Sequence, residues 1–341
     1  MLSIKPNRGA GKRSKKAIED KLIEAVMKKV EKINIVSSLN NKTQIFNDVF
    51  KWCLSQGRRI LYIINEDKES FDISKVISNE FLIQYIDNKN HAVTNGKINV
   101  CTHNVAIYLE EKFDIVIYDE VNSRPRYSKD AIVRVLNCNC NNYGTMISYS
   151  MEEAFKNELT LYNLRKDKQV PIVEPRIITT RMNVAEEIPM VVYEYLKWSI
   201  NTNKKVVIYV PDDERVDKIY GYLKNISNKL TKNIFSEKLK SLDRKDVSRF
   251  LLSECGILVT DNFKENFRGV HPLNVMLFFA DDINFNYKDL VYISSKINRL
   301  SMAQREEVIF ICNSETKHMD ICRNVLRELN KRAWEEGYLK L

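Results

Sequence analysis

INIVSSLNNKTQIFNDVF, residues 33–50, carries a short apolar run through an irregular polar turn into a helical pattern, and Lys42 and Thr43 open that helix. This is the layout of a phosphate-binding loop, in which the Lys ammonium meets the outer phosphates and the Thr hydroxyl binds magnesium. The helix start presents unpaired N–H groups to the same anion. Glycine is missing: Asn41 precedes Lys42, with Ser38, Leu39 and Asn40 before it. Taken alone, the stretch reads sooner as a helix start capped by Asn.

FDIVIYDEV, residues 113–121, changes that balance. An apolar strand ending in Asp119 and Glu120 places adjacent acids at the carboxyl edge of an open α/β sheet, where ligands bind. There Asp119 can hold magnesium, usually through water, and Glu120 can orient and deprotonate an attacking water. A strand-end acid pair alone also reads as a solvated turn. Lys-Thr after one strand and Asp-Glu after another, ~75 residues later in the same lobe, is a more specific combination. Gly9-Ala10-Gly11-Lys12 looks more like a glycine-rich loop, but no strand precedes it and Arg13 stands where a hydroxyl belongs.

Outward from these two stretches the same alternation continues. The apolar runs RILYII at 59–64, INVC at 98–101 and TMISY at 145–149 read as strands, and IFNDVFKWCLSQG and SKVISNEFLIQYI read as helices between them. Residues 15–32 have helical spacing and lead into the fold. Strands alternating with helices predict an α/β class and a mainly parallel sheet covered on both faces. The polar, proline-marked stretch 165–176 breaks the pattern, and it resumes with RIITTR, IPMVVYEYLKWSI, KKVVIYVP, GILVT, NVMLFFA and EVIFIC. HMDICRNVLRELNKRAWEEG reads as a closing helix with a glycine stop. The expected organisation is a basic tail and leading helix (1–32), a first lobe (33–166), a linker (167–176) and a second lobe (177–341).

The 341 residues suit two domains at a prior of ~150 residues each. Apolar residues make up 44% and charged residues 29%, and no stretch approaches the ~20 apolar residues of a membrane span. The basic start lacks an apolar core and a cleavage site, so the expected location is cytoplasmic. The net charge is +9, and residues 1–32 hold ten Lys or Arg against four acids, which suits a polyanionic partner or a solvated basic tail. Seven cysteines without paired zinc-knuckle spacing read as reduced thiols, with no zinc expected.

The order of these segments resembles the late-competence DNA helicase (ComFA) family of superfamily 2, over about residues 18–335. The matching pieces in the first half are NNKT at 40–43, CTHNVAIYL at 101–109, FDIVIYDEV at 113–121 and MISYS at 146–150. In the second half they are KKVVIYVPDDERVDKIYGYLK, GILVT at 256–260, FRGVHPLNV at 267–275, LVYISSKINR at 290–299 and the SETKHM helix. The resemblance implies two tandem RecA-like lobes, ATP and magnesium as cofactors, and single-stranded DNA as partner. It also implies DNA-uptake machinery at the inner membrane face as a further partner.

By the same resemblance Asn41, Lys42, Thr43 and Lys296 contact ATP, and Thr43 and Asp119 hold magnesium. Glu120 activates water and Arg299 is an arginine finger from the second lobe. Thr102, His103, Thr260, Arg268 and Gly269 contact the nucleic-acid backbone, which carries no sequence information. Tyr292, Ser295 and Lys296 replace the Gln, Gly and first Arg of the finger segment, and Ser148-Tyr149-Ser150 replaces Thr-Ala-Thr. The family's zinc module and adenine-reading segment are missing. Two readings follow: an ATP-dependent single-stranded DNA translocase with weakened hydrolysis, or a helicase-derived DNA-binding scaffold that does not hydrolyse ATP.

Overall fold

The computed structural model describes residues 17–339 apart from 40–43, 66–72, 74–75, 88–95, 165–169, 242–243, 265–266, 268, 271 and 298–305. In the first half, α1 (Ile18–Met27) leads to β1 (Lys32–Ser37), α2 (Asn47–Ser55), β2 (Ile60–Ile64), β3 (Ile83–Tyr85) and β4 (Ile98–Thr102). Then come α3 (His103–Ala106), β5 (Phe113–Asp119), α4 (Lys129–Asn139), β6 (Cys140–Ser150) and β7 (Leu159–Asn163). The seven strands form one sheet in the order β3-β4-β2-β5-β6-β1-β7, and every pairing in it is parallel.

The second half holds β8 (Arg176–Thr179), α5 (Met190–Asn201), β9 (Lys205–Tyr209), α6 (Asp213–Asn225), β10 (Ile234–Glu237) and α7 (Lys245–Leu252). It continues with β11 (Gly256–Thr260), β12 (Leu273–Phe278), α8 (Tyr287–Ser294), β13 (Val308–Cys312) and α9 (Lys317–Glu335). Its six strands run β10-β11-β9-β12-β13-β8, again with every pairing parallel.

Burial explains why these strands are continuous apolar runs. Successive side chains point to opposite faces, and both faces are covered. Ile60, Tyr62 and Ile64 of β2 pack with Leu22, Val26, Phe46 and Phe50 on one face. Leu61 and Ile63 pack with Ala106, Ile132 and Leu136 on the other. In the second sheet Val206 and Ile208 meet α5 and α6 through Val192, Leu196, Val216 and Ile219. Val207 and Tyr209 meet α7, α8 and α9 through Phe250, Leu290 and Met319. Helix starts are fixed by side-chain caps: Asp212 accepts from Arg215 N at 2.9 Å, and Asn286 and Asp289 form a reciprocal capping box at α8. Gly337, at φ +76°, ends α9 as the sequence predicts.

Three departures from the sequence reading concern short elements. SKVISNEFLIQYI is no helix across its C-terminal part: Ile83–Tyr85 is the edge strand β3, paired to β4 through Ile83↔Ile98 and Tyr85↔Val100. Its three residues are all half-buried at the sheet edge, and pairing to β4 decides their conformation over the helical spacing. β7 and β10, four or five residues each, carry too little apolar periodicity to be marked in advance. β6 begins at Cys140 instead of Thr145, with an irregular register opposite Phe113 and Ile115.

The lobes share apolar contact. Leu39 and Met151 of the first join the core of the second, and Val36 and Leu164 pack on Leu329 and Ala333 of α9. Asn330 of α9 accepts from Ile172 N at 2.8 Å and donates to Ile172 O at 2.9 Å, which ties the connecting chain to the closing helix. Among the described residues, no helix is long and apolar enough to cross a membrane.

Candidate nucleotide site at the strand ends and the lobe junction

The strand order sets the geometry of the site. β6 alone separates β1 from β5, with Ile35 opposite Tyr149 and Tyr149 opposite Asp119. At ~4.8 Å between neighbouring strands, Ile35 and Asp119 are ~10 Å apart across one parallel edge. The chain that leaves Ser37 and the Asp119–Glu120 turn therefore emerge side by side, with Ser148–Ser150 between them. Asn41, Lys42, Thr43, Arg268 and Arg299 lie outside the described residues, as does Gly9–Lys12.

Asp119 is buried, and its carboxylate is held by four protein donors. Oδ1 accepts from Val121 N at 2.8 Å and Asn122 N at 3.1 Å. Oδ2 accepts from the Tyr62 hydroxyl at 2.6 Å and Asn122 Nδ2 at 2.8 Å. Burial pushes its pKa up, and the Tyr62 and Asn122 bonds oppose that push. A carboxylate offers about four lone-pair directions, and all four are engaged here. In this arrangement Asp119 does not fit a magnesium ligand, since it must first shed Tyr62 or Asn122.

Glu120 is equally buried. Its Oε1 accepts from Lys288 Nζ at 2.7 Å, and Lys288 also donates to Tyr127 O at 2.7 Å. Burial raises the Glu120 pKa, with the Lys288 charge and hydrogen bond pulling it back. Lys288 belongs to the first turn of α8, so the second lobe reaches the acid turn of the first. Its neighbours do the same: Asp289 Oδ1 takes Arg124 Nη2 at 2.7 Å and Nε at 2.8 Å, and the Tyr287 hydroxyl donates to Glu152. Arg124 also lies over the Phe263 ring, 4.8 Å from its centroid.

The segments expected at nucleic acid are placed as follows. Thr102 caps α3 by accepting from Val105 N at 3.4 Å, and His103 is buried at the end of β4. His103 Nδ1 lies 2.7 Å from the Tyr118 hydroxyl, and burial pushes the ring's pKa down to about 4. Thr260 is buried, donating to Glu237 Oε2 at 3.3 Å and accepting from Asn262 N at 2.9 Å. Gly269 sits at φ +88°, a conformation that a side chain would strain. Lys296, just past α8, is buried with its ammonium 3.2 Å from the Tyr292 hydroxyl. Glu120 thus meets the start of α8 through Lys288, while the end of β1 lies one strand beyond the acid turn, across β6. Thr102 and His103 stand two strands away, at the end of β4 and the start of α3.

Sequence reasoning did not single out Tyr62, Asn122, Arg124, Tyr127, Tyr287, Lys288 or Asp289. The Asn286–Asp289 spacing is a capping signal and marks the start of α8. Nothing local in the sequence marks Lys288 as the partner of Glu120, because their pairing is set by how the lobes pack.

No family model matches the sequence, and a search of curated proteins finds no match. Solved structures do match. A DUF1998 helicase, MrfA, bound to DNA aligns over 92% of this chain and 48% of its own, with TM-score 0.53 and 13% identity. The E. coli DExH-box NTPase HrpB aligns over 89% and 42%, with TM-score 0.55 and 8% identity. S. cerevisiae Dbp5 bound to RNA and ADP BeF3 aligns over 93% and 91%, with TM-score 0.52 and 12% identity. The chain spans about half the length of the first two. At such identities the likeness speaks to architecture alone: the chain has an α/β fold of two tandem RecA-like lobes, as in these helicase structures.

Proposed function

We propose that this chain is an ATP-dependent, single-stranded DNA translocase of helicase type, with hydrolysis weakened by its departures around the nucleotide. The observation that carries the reading is the side-by-side emergence of the chain after Ser37 and the Asp119–Glu120 turn, separated by β6 alone. Lys42 and Thr43 fall in that chain, so a nucleotide held there faces the acid turn and the second lobe across one cleft. The net charge of +9 supports a nucleic-acid partner, and the bound DNA and RNA of the matching structures support the same class. The resemblance to late-competence helicases supports work on DNA taken up at the membrane.

A specific observation favours the second reading, a DNA-binding scaffold without hydrolysis: Glu120, the candidate base, is paired with Lys288 at 2.7 Å. A carboxylate whose lone pair is held by an ammonium is a poor proton acceptor. ATP hydrolysis measured with and without single-stranded DNA, using Lys42→Ala as the control, separates the two. DNA-stimulated turnover that Lys42→Ala abolishes supports the translocase. DNA binding without turnover supports the scaffold.

A further inference from the structure

Three consecutive residues at the start of α8 each bond a first-lobe side chain: Tyr287 to Glu152, Lys288 to Glu120 and Asp289 to Arg124. The charges alternate across the junction, so cation meets acid and acid meets cation. Lys288 and Glu120 are almost wholly buried, at 4% and 1% side-chain exposure, and Arg124 and Asp289 are at 23% and 6%. The capping box of Asn286 and Asp289 fixes the helix start that presents the three, and Lys129 adds a 2.9 Å contact to Glu152.

A buried pair of this kind attracts conditionally. Removing one partner leaves an uncompensated charge inside the protein, which costs far more than the pair itself contributes. Replacing both by apolar groups of similar volume is often neutral. The junction is therefore sensitive to a single lost charge.

We propose that the first turn of α8 is a latch that closes the two lobes on each other through Lys288–Glu120 and Asp289–Arg124. It needs no nucleotide, because every bond in it is made by protein groups. The latched form is a resting state in which Glu120 is withheld from water, and separation of the lobes releases it. The proposal concerns the junction alone and stands whether or not ATP is turned over.

The test is a distance distribution by pulsed electron paramagnetic resonance on nucleotide-free, full-length protein at pH 8. One label is placed on exposed Cys138 of the first lobe and one on Ile283→Cys of the second, with Cys255→Ser. The wild-type background gives one narrow distance. Lys288→Met and Glu120→Met singly shift most of the population to longer distances, and the double variant returns to the narrow peak. Arg124→Gln, at the more accessible pair, repeats the shift and guards against a buried variant that fails to fold. Single variants and Arg124→Gln that all keep the wild-type distance overturn the latch. A failure of ATP to bind leaves this readout untouched, so the two readings fail separately.

Discussion

His103 stacks face to face on Tyr127, with ring centroids 3.5 Å apart and planes 11° from parallel. The Tyr118 hydroxyl donates to Asn65 Oδ1 at 2.8 Å, so it accepts from His103, whose proton is therefore on Nδ1. Tyr127 O in turn receives Lys288 Nζ, and Asn65 Nδ2 donates to Arg124 O at 3.2 Å. The segment after β4 is thus linked through one ring to the acid turn and to the second lobe. Tyr127→Ala should lower first-lobe stability by about 1–2 kcal/mol in urea unfolding, through loss of the stacked pair. Tyr127→Phe keeps the stack and gives up only the exposed bond to Asn104, so it should stay within about 0.5 kcal/mol of wild type.

The same histidine gives the first lobe a pH dependence with a definite sign. Burial lowers its folded value to about 4, against ~6.5 when unfolded. Above pH ~6.5 both states are neutral and the contribution is complete. As pH falls below that, the unfolded chain binds a proton that the folded lobe refuses, and stability drains away until about pH 4. At ~1.4 kcal/mol per unit the loss is at most roughly 3–4 kcal/mol across the window. His103→Gln should flatten the stability profile there. An unchanged slope would show that the ring is not the group responsible.

Asn34 is a buried splice between β1 and the chain entering β7. Its Nδ2 donates to Phe155 O at 2.8 Å and Thr160 Oγ1 at 3.3 Å, while Oδ1 accepts from Ala154 N and Phe155 N, both at 3.0 Å. Asn34→Leu strands three backbone groups in the interior, and the expected loss is about 2–4 kcal/mol. Chemical denaturation with an unchanged m-value and a lowered midpoint is the signature. A midpoint within the scatter of wild type would mean that the segment relaxes to find other partners.

These residues also show what a single sequence reveals here. The long parallel strands are legible, because burial on both faces forces apolar runs such as ILYII and FDIVIYD into unbroken blocks. Asp119 and Glu120 are legible too, since a strand end in an α/β sheet is a place as well as a composition. Their partners are not. Tyr62 and Asp119 have two strands, β3 and β4, between them in the chain, and Lys288 lies in the other lobe, so both contacts exist only once the sheets have formed. Short edge strands fail for a related reason: in IQY the neighbour β4 decides the conformation, and the local pattern alone points to a helix.

Asn41 and Tyr62 together offer a test of the nucleotide site. A glycine before the Lys of a phosphate loop lets backbone approach phosphate closely and reach positive φ, and Asn is the least damaging replacement because it enters the left-handed region more readily than other side chains. Asn41→Gly should therefore tighten ATP binding in a calorimetric titration with magnesium. If Asp119 anchors that magnesium, the Tyr62 hydroxyl at 2.6 Å competes with it for Oδ2. Tyr62→Phe then frees one lone pair, and it should strengthen magnesium-dependent ATP binding further while costing about 1 kcal/mol of stability for the lost hydrogen bond. Both substitutions act at the phosphate end, through backbone approach in one case and the magnesium anchor in the other. The double variant should therefore bind at least as tightly as either single variant, without the gains having to sum. Asp119→Asn should erase the Tyr62→Phe gain and leave that of Asn41→Gly largely in place. A Tyr62→Phe variant that loses stability without any gain in affinity would make Asp119 a structural residue of the turn. No ATP binding in Asn41→Gly would turn the whole edge over to the scaffold reading.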